Sequence, residues 1–497
     1  MSEEPFDVVA TRKLVQEQMG GAERLRALRL AGRRSARDFI AAFFDSGSFT
    51  ELGTFAGMRS GLPPTAAGDG RITGHATLDG APIAVIVDDV TVKRASSTAL
   101  NARKAERVVQ TAKHTGMPIL YVGEAGGARL PETLRGDVFV SEPIYPWLFD
   151  PERPPLVTAI VGDSYGGSSF VAAMSDIVVM LQGSVLALTS PRVIGIATGV
   201  QVSAEELGGA TVVAAQTDLV DIVVEDPAEL DRVLRKALEF FTCPVTEGKR
   251  APDADLRALV PVEESKVYDV HPVVDAILDQ DSLLELGGAR GRSLVTGLGR
   301  VDGRVVGVIA SQPMREAGAL SPAACEKASK LTALCDRFGF PIVCLVDTPG
   351  FQIGVHVEHS GMLRRAMDLI ERNTAAACPT VTVILRKAFG LAFFAMFSPD
   401  HGGDVVLAWP GAHVGFMAPA VAANVLYGDE FEGLAPADRQ EQLAERAASL
   451  GASATARDVA AAMGIDEIID EADTIPAVRR FLDVLAPVER APARKDT

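Results

Sequence analysis

Four glycine-bearing segments are the residues of this chain best suited to chemistry. They are GEAGGARLPE at Gly123–Glu132, GDSYGGSSF at Gly162–Phe170, DTPGFQIG at Asp347–Gly354 and RKAFGLAFF at Arg386–Phe394. Glycine lets a backbone approach a ligand closely and adopt positive φ. A helix that starts just beyond such a turn presents free N–H groups with partial positive charge. Two such groups aimed at one carbonyl oxygen make an oxyanion hole. A parallel sheet also needs tight turns for packing alone, so each segment by itself supports either reading. Arg129, Arg386 and Lys387 sit beside the turns. Cations there either meet a carboxylate or phosphate, or are solvated strand-end charges.

Other chemistries are poorly signalled. GDSYG breaks the GxSxG spacing, so Ser164, Ser168 and Ser169 do not form a nucleophile elbow. No Walker A pattern calls for ATP. His356 and His359 stand three apart with no third ligand at a metal-binding spacing, so a structured loop and no metal is expected. The five cysteines form no CxxC pair, which fits a reducing cytoplasm. The first residues lack the apolar stretch of an export signal, and no apolar run reaches the ~18 residues of a membrane span. Lys and Arg total 48 against 65 Asp and Glu, a formal charge of −17, which argues against a general nucleic-acid binder. Hydrophobic residues make up 47% of the 497 positions, enough for large cores.

The elements that position the turns occur twice. Thr73–Gly74 matches Thr296–Gly297, 223 positions on. Asp79–Gly80 with Asp302–Gly303, Lys104–Ala105 with Lys327–Ala328, and Pro118–Ile119 with Pro341–Ile342 keep that spacing. After one inserted residue, PLVTAIVGDSYGG from Pro155 falls on PTVTVILRKAFGL from Pro379, 224 positions on. A register held this long marks two copies of one domain. Each copy begins with a strand pair joined by Asp-Gly hairpin chemistry. A helix follows near 99–115 and 321–338, with Ala102, Ala105, Val108, Val109 and Ala112 on one face. Two apolar strands then each end in a glycine turn, which predicts βαβ units and a largely parallel sheet. The segment 225–265, with Pro244, Pro252 and Pro261, is expected to join the copies. The first 25 residues read as a peripheral arm and 488–497 as a loose tail. The domains are placed at 26–250 and 265–487.

Several motifs together carry a family resemblance. They are FDSGSFTELG from Phe44, GGARLPE at 126–132, SYGGSS at 164–169, EELGGA at 205–210, VDTPGFQIG at 346–354, EHSGMLRRA at 358–366, RKAFG at 386–390 and AWP at 408–410. With them the chain resembles, from about Phe44 to Leu485, the carboxyltransferase (β) subunit of biotin-dependent acyl-CoA carboxylases, the propionyl-CoA carboxylase-like group. The resemblance implies an α/β fold of two tandem crotonase-like domains, the first for acyl-CoA and the second for carboxybiotin. It implies a homohexamer, a trimer of dimers, with sites between the N-domain of one subunit and the C-domain of its dimer partner. The partner chain would be a biotin carboxylase / biotin carboxyl carrier subunit. No lysine here has a biotin-acceptor context, so biotin arrives on that separate chain.

By the same resemblance, the N–H groups of Gly166 and Gly167 would hold the thioester enolate. Those of Leu391 and Ala392 would hold the biotin ureido oxygen. Gly126, Gly127, Ala128 and Arg129, with Lys93 and Arg94, are expected on the CoA side, the last two meeting a CoA phosphate. Gly390 and Phe393 are expected at the same turn, and Phe394 is expected to shape the acyl or biotin pocket. Two departures stand out. Gly390-Leu391-Ala392-Phe393 replaces the family's Gly-Gly-Ala-Tyr, so a donor at 391 requires negative φ there. Lys93-Arg94-Ala95-Ser96 stands where relatives often carry a Gly-Gly pair. An acyl-CoA decarboxylase subunit running the reverse transfer, and a non-catalytic paralogue, are the alternative readings.

Overall fold

The computed structural model describes residues 7–58, 68–130, 132–139, 145–252 and 254–486. Pro131 of the GGARLPE stretch and the tail at 488–497 lie outside them. The chain divides into two compact units, Met1–Cys243 and Pro244–Thr497.

Unit 1 contains β1 (Thr50–Leu52), β2 (Arg71–Leu78), β3 (Ala81–Asp88), β4 (Ile119–Gly126), β5 (Leu156–Tyr165), β6 (Ile177–Leu181), β7 (Val185–Ala187) and β8 (Ile222–Val224). They pair in the order β1-β2-β3-β4-β5-β6-β8, with β7 on β5. The β1–β2–β3 edge is antiparallel and the rest parallel. Unit 2 contains β9 (Leu284–Glu285), β10 (Leu294–Val301), β11 (Arg304–Ser311), β12 (Ile342–Thr348), β13 (Thr380–Phe389), β14 (Val405–Ala408), β15 (His413–Gly415) and β16 (Glu467–Ile468). Its order, β9-β10-β11-β12-β13-β14-β16 with β15 on β13, is the same topology. The α/β duplication expected from the repeat is therefore realised strand for strand.

The local chemistry also repeats. Asp79 and Gly80 have φ of 52° and 82°, and Asp302 and Gly303 have 47° and 81°. Positive φ at both central residues is the hairpin turn that Asp-Gly favours. Helix Ala99–Thr115 is capped by the Thr98 side chain and stopped by left-handed Gly116. Its copy, Pro322–Phe338, is capped by Ser321 and stopped by left-handed Gly339. Ala105, Val108, Val109 and Ala112 are buried against the unit 1 sheet, as their spacing predicts.

Two features lie beyond the sequence reading. The repeat begins earlier than Arg71: RDFIAAFFDSGSFTELG from Arg37 overlays HPVVDAILDQDSLLELG from His271 without a gap, 234 positions on. Asp45 accepts the N–H groups of Asp79 (3.0 Å) and Gly80 (2.9 Å), and Asp279 those of Asp302 (3.2 Å) and Gly303 (2.7 Å). The identities in this block are too few to stand out until the shared hairpin clamp is seen. The second feature corrects the expected joining segment. Pro227–Thr242 is a helix of unit 1, with Asp226 as its cap and Leu230, Val233, Leu234, Ala237, Leu238 and Phe240 buried. Its apolar residues recur at helical spacing and were masked by the flanking prolines and charges.

Candidate functional site

The site begins with an irregularity in each sheet. Gly123 pairs with Ile160 but Ala125 with Ser164, so β5 bulges at 161–163. Val346 pairs with Ile384 but Thr348 with Ala388, so β13 bulges at 385–387. Bulges re-aim the strand ends that follow them. Beyond the first bulge the two glycine turns of unit 1 meet: a Cβ on Gly166 would sit 3.5 Å from Gly127 Cα. A third loop docks on them. Ser97 N donates to Gly127 O at 2.8 Å, and Arg129 N to Ser97 O at 3.2 Å. Unit 2 repeats this, with Leu320 N on Gly350 O at 3.0 Å and Gln352 N on Leu320 O at 2.9 Å.

Each second turn feeds a short helix, Gly167–Ala173 and Leu391–Ala395. Gly166 and Gly390 both have φ of 64°. Their N–H groups are already used: Gly166 N donates to Leu188 O at 3.3 Å, and Gly390 N to Gly415 O at 2.9 Å. Gly166 is therefore corrected as a donor to ligand. The first-turn N–H groups of Gly167, Ser168, Leu391 and Ala392 have no acceptor among the described residues. The first N–H groups of a helix lack intrahelical partners, which is why these four are unpaired; Leu391 is exposed, whereas Gly167, Ser168 and Ala392 are buried beneath the turns. The repeat already pairs Gly167 with Leu391 and Ser168 with Ala392, both 224 apart, and this register was the signal for Ser168. Leu391 is helical without positive φ, so its N–H survives the departure from glycine.

A cavity of about 680 Å³ opens beside the unit 1 turns, lined among others by Lys93, Arg94, Gly126, Ala128, Tyr165 and Arg192. Lys93 and Arg94 are exposed and loosely paired, to Glu132 at 3.7 Å and Asp163 at 3.6 Å. Exposed pairs of this kind contribute little and exchange readily for another anion. The loop that carries them is strained: Lys93, Arg94 and Ala95 have φ of 47°, 55° and 50°. Left-handed non-glycine residues cost on the order of 1 kcal/mol each and gather at functional loops.

The expectations for Arg129, Arg386 and Lys387 are corrected. Arg129 is buried and ion-paired to Asp69, with Nε on Ser96 Oγ and Nη2 on Ser96 O, both at 3.0 Å. Its guanidinium ties the docking loop to the turn at the cavity wall, with its charge already paired to Asp69. Arg386 and Lys387 are buried around Asp347, at 2.8 and 3.0 Å. They are internal pairs, neither ligand contacts nor solvated strand ends. Arg192 was not anticipated, because a lone arginine after a proline carries no spacing signal. It lies exposed on helix Pro191–Thr198, with no ion-pair partner among the described residues.

On the unit 2 side, Phe393 and Phe394 meet edge to face with centroids 5.3 Å apart, and Phe394 meets His401 at 5.2 Å. Leu391 and Phe394 remain 40% and 38% exposed, so the turn presents an apolar rim beside its open N–H groups. His356 and His359 lie on the five-residue helix Val355–His359.

Each unit thus carries two glycine turns and, after the second, a helix start with unpaired N–H groups. Residues 28–496 match the model of the carboxyl transferase domain. The chain is 32% identical to the methylmalonyl-CoA carboxyltransferase 12S subunit of Propionibacterium freudenreichii subsp. shermanii, over 98% of this chain and 95% of that one. It is also 32% identical to a putative propionyl-CoA carboxylase beta chain of Bacillus subtilis (strain 168), over 99% and 98%. Its fold superimposes on the transcarboxylase 12S crystal structure, a hexamer assembly with methylmalonyl-CoA bound, with a TM-score of 0.88 and 31% identity over 100% of this chain and 98% of that one. The protein belongs to the carboxyl transferase family, and its two units are crotonase-like. Among the described residues no helix is long and apolar enough to cross a membrane.

Proposed function

We propose that the chain transfers a carboxyl group from carboxybiotin, carried by a separate subunit, to the α-carbon of an acyl-CoA. The observation that carries this reading is the pair of matched, unpaired N–H sets, Gly167/Ser168 and Leu391/Ala392, in a member of the carboxyl transferase family. Two oxygens gain negative charge in the reaction, the thioester oxygen as the enolate forms and the ureido oxygen as CO2 leaves. Each requires preorganised donors. The N-terminal unit, Met1–Cys243, takes the acyl-CoA and the C-terminal unit, Pro244–Thr497, the biotin.

On the acyl side, Gly167 and Ser168 hold the enolate oxygen. Gly126, Gly127 and Ala128 form the backbone wall against which the thioester lies. Arg192, with Lys93 and Arg94 released from Glu132 and Asp163, meets the CoA phosphates. On the biotin side, Leu391 and Ala392 hold the ureido oxygen, Gly390 admits the turn, and Phe393 and Phe394 flank the bicyclic ring. Carboxybiotin supplies both CO2 and the nitrogen base, so the reaction requires no side-chain base from the turns. The chain itself contributes position and fixed dipoles. It works in the cytoplasm as a homohexamer, a trimer of dimers, with a biotin carboxyl carrier subunit.

The test is fixation of 14C-bicarbonate into acid-stable product by the chain with its biotin-bearing partner, across acetyl-, propionyl- and longer acyl-CoAs. Label in at least one carboxyacyl-CoA is expected. No label with any of them, from a partner shown to be carboxylated, overturns the reading.

A further inference from the structure

The two bulges are closed by the same kind of pair from opposite directions. Opposite each bulge stands a buried acid, Glu124 at 8% exposure and Asp347 at 0%, 223 positions apart. A buried carboxylate is tolerated only with a cation or donors beside it. In unit 2 the cation lies in the bulge itself. Arg386 Nε donates to Asp347 Oδ2 at 2.8 Å, and its Nη1 reaches out to the carbonyls of Pro261, Glu263 and Lys266 at 3.1, 2.9 and 2.9 Å. Those carbonyls belong to the segment just before helix His271–Ile277.

In unit 1 the position of Arg386 is Gly162, 224 residues earlier. A Cβ there would lie 2.5 Å from the Glu124 carboxyl carbon and 2.8 Å from Arg33 Nη2. The cation comes instead from the segment before the matching helix, Ala36–Phe43. Arg33 reaches inward, pairs with Glu124 and donates to Val161 O in the bulge at 3.2 Å. A cavity of about 220 Å³, lined by Arg33, Glu124, Val122 and Val161 among others, adjoins the pair. Without Arg33, Glu124 would be left as an uncompensated buried charge with space to swing into.

The bulge sets the pairing of Ala125 with Ser164 and Gly126 with Tyr165. That pairing fixes how the Gly126–Ala128 and Gly166–Ser168 turns meet. We propose that Arg33 is a positioning residue for the acyl-CoA side, holding both glycine turns in register through Glu124 and the 161–163 bulge. The proposal rests on the assignment of unit 1 to acyl-CoA given above.

The test uses the full chain with its biotin-bearing partner. Arg33→Ala is expected to raise the KM for acyl-CoA about tenfold, since small misplacements of a binding surface are costly. The KM for the carboxylated carrier stays unchanged. Amide exchange rises at 123–128 and 164–168 and stays unchanged at 347–352. The triple variant Arg33→Ala/Glu124→Asp/Gly162→Arg copies the unit 2 arrangement and restores both KM and exchange. Arg33→Lys keeps the charge and serves if Arg33→Ala does not fold, with a smaller rise in the same KM. Unchanged KM and exchange in Arg33→Ala overturn the proposal. Faster exchange with unchanged KM overturns it too, by reducing Arg33 to a stabilising contact. If the intact protein carboxylates no acyl-CoA, the acyl-CoA assignment falls, while exchange and its rescue still decide whether Arg33 sets the register.

Discussion

Beneath its glycine turns unit 1 buries Arg71 against Asp88 at 2.9 Å, with Tyr121 Oη on the same carboxylate at 2.5 Å; the matching positions of unit 2 are Leu294, Ser311 and Cys344. Yet both units keep one lysine in the same place. Lys104 Nζ donates to Gly68 O at 2.8 Å and to Arg71 O, and Lys327 Nζ to Gly287 O at 3.2 Å and Leu294 O at 2.7 Å. The difference separates two kinds of constraint. Groups that satisfy buried backbone carbonyls and turn amides are held, because every such group needs a partner. Groups that merely fill the space between strand and helix diverge between polar and apolar solutions.

The largest expected effect breaks the polar solution. Asp88→Ser leaves Arg71 as a buried unpaired cation and should cost about 3–5 kcal/mol by urea unfolding. The double variant Arg71→Leu/Asp88→Ser, which imports two of the three unit 2 residues and leaves Tyr121 in place, should recover part of that loss. If the double variant is as unstable as the single, the two cores are not interchangeable solutions.

Next comes the chemistry that both units share. Leu391→Pro removes one N–H at a helix start where proline is tolerated. Carboxyl transfer should fall about 10²–10³-fold with little change in the thermal midpoint. An undiminished turnover would remove Leu391 from the donor set.

The two lysines should behave alike. Burial pulls the ammonium pKa of each down to about 8. The folded state then binds fewer protons than the unfolded one between pH 8 and the ordinary lysine range, so stability rises as pH climbs through that window. Each lysine contributes up to about 3 kcal/mol of that rise. Lys104→Gln and Lys327→Gln should each flatten the slope by a similar amount. A flattening in only one variant would show that the equivalence is geometric and not energetic.

The smallest effect compares the hairpin clamps. Asp279→Ala removes a buried acceptor of two amides and should cost about 2 kcal/mol. Asp45→Ala should cost less, because water can replace the carboxylate at the more exposed hairpin Asp79–Gly80. Equal losses would contradict that ordering.

Much of this protein follows from its residue order alone. Asp-Gly pairs dictate the hairpins, because few other dipeptides accept positive φ at both positions. Apolar spacing dictates the 99–115 helix and its copy, because one face must be buried. A repeat held at 223 and then 224 dictates two like sheets. Which N–H groups stay open, and which charges are spent, was settled only by tertiary contacts. Gly166 and Gly167 read alike in the chain, yet Leu188 O from a distant strand end claims only the first. Arg129, Arg386 and Lys387 read either as cations facing a ligand or as solvated strand-end charges, yet Asp69 and Asp347 pair with them across sequence separations of 39 to 60 residues. Local sequence encodes backbone geometry because torsional preferences are local. Hydrogen bonds and ion pairs are made between groups that only the folded chain brings within about 3 Å.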